Sequence, residues 1–120
     1  MTLHFSNYLE PYPHLAVQVA NLGGTMPFLW ERIEEVAFER SAAVPATMGP
    51  VRCYVDTASF GPRAIEMAVA CFGANRVLLG TDCPIFNTDR LLKSVSDARL
   101  DAETRERILF RNARQIFSLS

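Results

Sequence analysis

The sequence predicts an α/β fold on a parallel sheet, and three observations carry that reading. An apolar strand, a polar turn and an amphipathic helix come round three times in the same order. The third of these strands is almost wholly apolar, as a strand with both faces covered must be. The residues with reactive side chains, Asn21, Asp56 and Asp82, fall where the strands end, which is where parallel sheets collect their chemistry.

The first unit opens after Tyr12-Pro13, with Leu15-Ala16-Val17-Gln18-Val19-Ala20 as a largely buried strand that ends in the turn Asn21-Leu22-Gly23-Gly24. Thr25 is the expected N-cap of the next helix, and Pro27 sits near its first position, where a missing N–H is harmless. Leu29, Ile33, Val36 and Ala37 make an apolar stripe, leaving Glu31, Arg32, Glu34 and Glu35 mostly to water. Residues 41–50, with Pro45, Gly49 and Pro50, read as a loop.

Val51 to Thr57 is the second strand, turning at Ser59-Phe60-Gly61 into a helix from Pro62 with Ile65, Ala68, Val69 and Phe72 inward and Gly73 at its close. The third strand, Arg76 to Gly80, runs into Thr81-Asp82-Cys83-Pro84. A helix around Asp89 to Ala98 follows. Asp101 then caps a last helix, whose inward residues are Ile108, Leu109, Ala113, Ile116 and Phe117.

Composition narrows the function classes. With 120 residues, 49% of them hydrophobic and 21% charged, the chain suits one globular domain spanning 1–120. A net charge of −1 and scattered arginines argue against nucleic acid as a partner, and no apolar run approaches the roughly 20 residues that span a bilayer. Cytoplasm is the expected location. The cysteines Cys53, Cys71 and Cys83 are odd in number and widely spaced, so they read as reduced thiols, Cys53 and Cys71 in the core.

Several residues invite a chemical reading. Asp82 follows an apolar strand and precedes a proline loop, which suits either a site carboxylate or a cap of its own turn. Asp56 has the same two readings, with Thr57 and Ser59 as turn partners. Gly23-Gly24 lacks the spacing of a phosphate loop and reads as close packing. Neither His4 nor His14 follows a strand, and His14 is expected at a surface turn. Cys83 has no histidine at a strand end to activate it as a nucleophile.

Taken in order, Tyr12-Pro13-His14-Leu15, the run Asn21 to Phe28, Leu78 to Pro84 and the closing Arg105 to Ala113 resemble the C-terminal part of the amidohydrolase-related (amidohydrolase 2) family, which includes aminocarboxymuconate-semialdehyde decarboxylase and γ-resorcylate decarboxylase. The resemblance runs from about Phe5 onward. It implies strands 6–8 of a (β/α)8 TIM-type barrel. It also implies a divalent metal, zinc or manganese, bound by histidines of strands 1 and 5 and an aspartate of strand 8. By that pattern Asp82 is the metal ligand, and Asn21 stands at the catalytic position where the family has histidine. Asparagine hydrogen-bonds an oxyanion but does not shuttle protons near neutral pH.

The implied function is that of a metal-dependent hydrolase or non-oxidative decarboxylase for a small carboxylated substrate, with Arg32 or Arg63 as a possible second anchor, or more simply a surface ion pair. The strands carrying the other ligands are missing from this pattern, so the segment is expected to be inactive alone. A complementing N-terminal chain or a homo-oligomer is the expected partner. The rival reading is a non-catalytic half-barrel assembly module that oligomerises through open sheet edges.

Overall fold

The computed structural model describes residues 11–40, 52–58 and 60–119. The expected loop 41–50 lies outside the described residues, as do His4, Val51 and Ser59. Strands β1 (Ala16–Val19), β2 (Arg52–Asp56) and β3 (Val77–Leu78) pair in that order, both pairs parallel. Parallel neighbours require crossovers, and α1 (Met26–Arg40) and α2 (Pro62–Phe72) lie on them. The expected α/β class is therefore observed.

Register decides which side chains share a face, because residues paired across parallel strands point the same way and their neighbours point oppositely. Val17 pairs with Cys53, Val19 with Val55 and Val55 with Val77, so these five residues face together. Cys53, Val55 and Val77 are buried in one cluster with Trp30 of α1 and Ile65, Ala68 and Phe72 of α2. The opposite face carries Ala16, Gln18, Tyr54 and Asp56. Ala16 and Gln18 are exposed there and Val17 and Val19 only half-buried, so β1 is not the largely buried strand expected: its outer edge and this face carry no covering element among the described residues.

The packing corrects two helix stripes. In α1, Ile33 is buried as expected, but Leu29 and Val36 are exposed, and Trp30 takes an inward position in the core cluster against which Met26 packs. The Trp30 and Phe72 rings meet edge to face, their centroids 5.1 Å apart, and this joins α1 to α2. Thr25 stands at the expected N-cap position, immediately before Met26, and its carbonyl accepts the first helical bond from Leu29 N. At the other end of the chain Phe117 is exposed, whereas Ile108 is fully buried.

The C-terminal part comprises α3 (Thr88–Asp97), α4 (Ala102–Glu106), a π-helical segment (Arg107–Arg111) and α5 (Asn112–Phe117). Asn87 caps α3, its side chain accepting from Asp89 N and Arg90 N. The last three elements are one continuous helix with a wide turn, in which Asn112 N–H reaches back to Arg107 O.

That wide turn closes a sheet edge. Leu78 O accepts from Thr57 N on the β2 side. The neighbouring groups, Leu79 N and Val77 O, are taken by Ile108 O at 2.9 Å and Asn112 Nδ2 at 2.8 Å. Two groups on the outer edge of β3 are thus satisfied by the chain's own last helix, an edge expected from sequence to be open. No strand pairs with the outer edge of β1 among the described residues.

Asp101 caps α4 as expected, accepting from Thr104 N and Thr104 Oγ1. These bonds hold its carboxyl below its ordinary value of 3.8. A depressed folded-state pKa stabilises the fold above the unfolded value and loses that contribution as pH falls through the folded one. Helix content followed by circular dichroism from pH 5 down to about pH 2 should therefore show an acid-dependent loss below 3.8 that shrinks in Asp101→Asn.

Candidate functional site

The C-terminal ends of the strands form one rim. After β1 the backbone makes a tight turn over Asn21–Gly23, with Asn21 at φ 56° and Leu22 at φ 52°, both left-handed. Asparagine tolerates that region; for Leu22 it costs roughly 1–2 kcal/mol, offset by complete burial of its side chain. Gly24 follows at φ 64° and ψ −116°, which no residue with a Cβ adopts comfortably. A Cβ at Gly24 would touch nothing within 4 Å, so the need there is conformational, whereas at Gly23 it would lie 3.0 Å from Met26 Sδ, the close packing expected from sequence.

Asp56, the last residue of β2, holds this turn. Its Oδ1 accepts from Asn21 N at 3.0 Å and Ala58 N at 3.1 Å, and its Oδ2 accepts from Gln18 Nε2 at 2.8 Å. Three N–H donors offset the cost of keeping a carboxylate that is only 5% exposed. A local turn bond is thus observed, but to Ala58 N; the hydroxyl of the expected partner Thr57 is paired with Gly80, Ser59 lies outside the described residues, and the ties to Gln18 and Asn21 have no sequence signal.

Thr57 ties the rim in the other direction. Gly80 N donates to Thr57 Oγ1 at 3.1 Å, and the hydroxyl donates to Gly80 O at 3.3 Å. Gly80 also sits directly against Asp56: a Cβ there would lie 2.8 Å from Asp56 Cβ, Cγ and Oδ1. Only glycine fits.

Asp82 lies two residues further on, exposed and left-handed at φ 52°, and its carbonyl accepts from Ile85 N and Phe86 N. Its backbone thus anchors the turn that follows. Asn21 and Asp82 share the rim and are linked through Asp56, Thr57 and Gly80. Cys83 is exposed next to Asp82, and His14 is exposed in a turn before β1. Arg32 and Arg63 are exposed on α1 and α2.

Cys53 is buried as expected, but Cys71 is only half-buried, its thiol 3.4 Å from Pro27 O. Burial pushes both thiols above the ordinary value of 9.0, and Glu31 and Glu34 add to the shift at Cys71. Neither is an activated nucleophile.

The donor set sets a limit on metal chemistry. Among the described residues no group of three His, Cys, Asp or Glu side chains converges, and Asp82 offers one carboxylate where a catalytic metal needs several protein ligands. These residues do not by themselves fit a metal ion.

A three-stranded parallel sheet with its helices outside and polar residues along its C-terminal rim is an arrangement expected of part of an α/β barrel. The family model for amidohydrolases matches residues 1–119, and the chain belongs to that family. Among solved structures it resembles 2,6-dihydroxybenzoate decarboxylase from Rhizobium, at 22% identity and a TM-score of 0.78 over 97% of this chain and 38% of that one.

It also resembles a dihydroxybenzoic acid decarboxylase from Polaromonas, solved with bound manganese and the inhibitor 2-nitroresorcinol, at 24% identity and TM-score 0.75 over 97% and 37%. A third likeness is to 4-oxalomesaconate hydratase from Rhodopseudomonas palustris, at 18% identity and TM-score 0.83 over 98% and 39%. The chain therefore spans under two-fifths of the length of these relatives. No helix among the described residues is long and apolar enough to cross a membrane.

Proposed function

We propose that residues 1–120 form a single partial domain, strands 6–8 of a (β/α)8 barrel, and supply one wall of the site of a metal-dependent amidohydrolase-family hydrolase or non-oxidative decarboxylase acting on a small carboxylated substrate. The observation that carries this reading is the rim itself. Asn21 and Asp82 stand on the C-terminal side of β1 and β3, each in a left-handed conformation held by backbone hydrogen bonds. Fixed backbone of this kind is characteristic of residues that must present a side chain in one direction.

In this reading Asp82 supplies one hard oxygen donor to zinc or manganese, and the remaining ligands come from strands outside this segment. Asn21 offers hydrogen bonds to a substrate oxygen. The segment has no activity alone.

Elemental analysis after dialysis against Mn2+ or Zn2+ tests the proposal, for the chain alone and for a fusion to the N-terminal barrel portion of a solved relative. Stoichiometric metal is expected only in the fusion, and Asp82→Ala should lower the affinity at least about 100-fold. Uptake by the fusion that ignores Asp82→Ala overturns the assignment.

The second reading, a half-barrel assembly module, is favoured by the outer edge of β1, which pairs with no strand among the described residues, and by Leu15, exposed just before it. A metal-free oligomer of the isolated chain, found by light scattering, supports that reading instead.

A further inference from the structure

We infer that Asp56 is a positioning residue that holds Asn21 and Asp82 in register with each other; the inference rests on the assignment of those two residues to the site. Asp56 joins two loops that are remote in sequence. Its carboxylate grips the Asn21 amide on one side and fills, on the other, the space that a Gly80 side chain would occupy. Thr57, the next residue, bonds both the N–H and the carbonyl of Gly80, so the two atoms that set the direction of the chain toward Asp82 are fixed from the same strand end.

A plain turn residue needs only the Ala58 bond. The bonds to Asn21 N and Gln18 Nε2, at sequence separations of 35 and 38, and the approach of Gly80 so close that a Cβ there would lie 2.8 Å from Asp56 have no role in a local turn. They bear on the candidate site because Asn21 lies on one of these contacts and Asp82 follows two residues after the other.

The arrangement depends on shape and hydrogen bonding more than on charge. Asparagine at position 56 keeps one oxygen for the Asn21 and Ala58 amides, and its NH2 faces Gln18, whose side-chain amide can turn to accept. Alanine keeps neither bond.

Amide hydrogen exchange on the full 120-residue chain tests the coupling. The informative reporter is Ile85, whose N–H is bonded to Asp82 O and does not touch Asp56. In Asp56→Ala the Ile85 amide is expected to exchange about tenfold faster, and in Asp56→Asn to return to near the wild-type rate. Gly80→Ala tests the link from the other end, since it pushes on Asp56 and should speed exchange at Asn21 about tenfold.

If Asp56→Ala leaves Ile85 protected, or if Gly80→Ala leaves Asn21 protected, Asp56 is a local turn residue and the inference fails. Should Asp56→Ala not fold, the Gly80→Ala result and the Asp56→Asn rate decide alone. None of these readouts uses a metal. Loss of metal uptake with intact coupling sinks the site assignment only, and loss of coupling with intact uptake sinks only the positioning role.

Discussion

Replacing Asn112 with leucine is expected to destabilise the chain by about 3 kcal/mol, because two backbone carbonyls lose their donor while the volume is kept. Asn112 is 1% exposed, and its Nδ2 donates to Ala74 O at 2.7 Å and Val77 O at 2.8 Å. A buried acceptor without a partner costs roughly 1–3 kcal/mol, and Val77 O lies in the interior of the β3 edge. In urea this should move the unfolding midpoint down by roughly 1–3 M at an ordinary slope. Asn112→Asp should be worse, since it loses a donor and buries a charge. A midpoint within about 0.2 M of the wild type for Asn112→Leu would show that the helix does not hold the β3 edge.

The second large effect is expected at Phe72. Phe72→Ala should cost about 3–5 kcal/mol, since the ring is 5% exposed and closes the core between α1, α2 and the sheet. Part of this loss, about 0.5–1.5 kcal/mol, belongs to the edge-to-face contact with Trp30. Phe72→Leu, which keeps most of the volume, should cost clearly less. Trp30 fluorescence on thermal melting reads both variants, because its ring rests on the substituted position. Equal losses for alanine and leucine would mean that the aromatic contact, and not the cavity, dominates. Native proteins are stable by only about 5–15 kcal/mol, so either substitution removes a large share of the total.

These variants probe features of unequal legibility. The β1 and β2 strands were readable as apolar and β-branched runs closed by turn residues, and the α2 stripe of Ile65, Ala68 and Phe72 because burial repeats with the 3.6-residue period of a helix. The stripe of α1 held at Ile33 and misled at Leu29 and Val36, because the buried face is turned toward Trp30, whose ring meets Phe72. Phe117 misled for a related reason: it lies at the exposed last turn, beyond the point where the helix leaves the core.

The candidate site divides the same way. That Asn21, Asp56 and Asp82 lie near strand ends follows from the order of apolar and polar residues along the chain. Local chemistry also announced the Asp101 cap. By itself, then, the sequence determined the order of the elements, the parallel character of the sheet, the family and the residues offered to the rim. Tertiary structure decided what joins them: the Asp56 carboxylate bridging Gln18, Asn21 and Ala58, the fit of Gly80 against it, and the closure of the β3 edge by Asn112 and Ile108. Each of these contacts unites groups remote in sequence, and such pairings leave no periodic trace in a single chain because they depend on where the backbone has already been carried by the packing of its apolar faces.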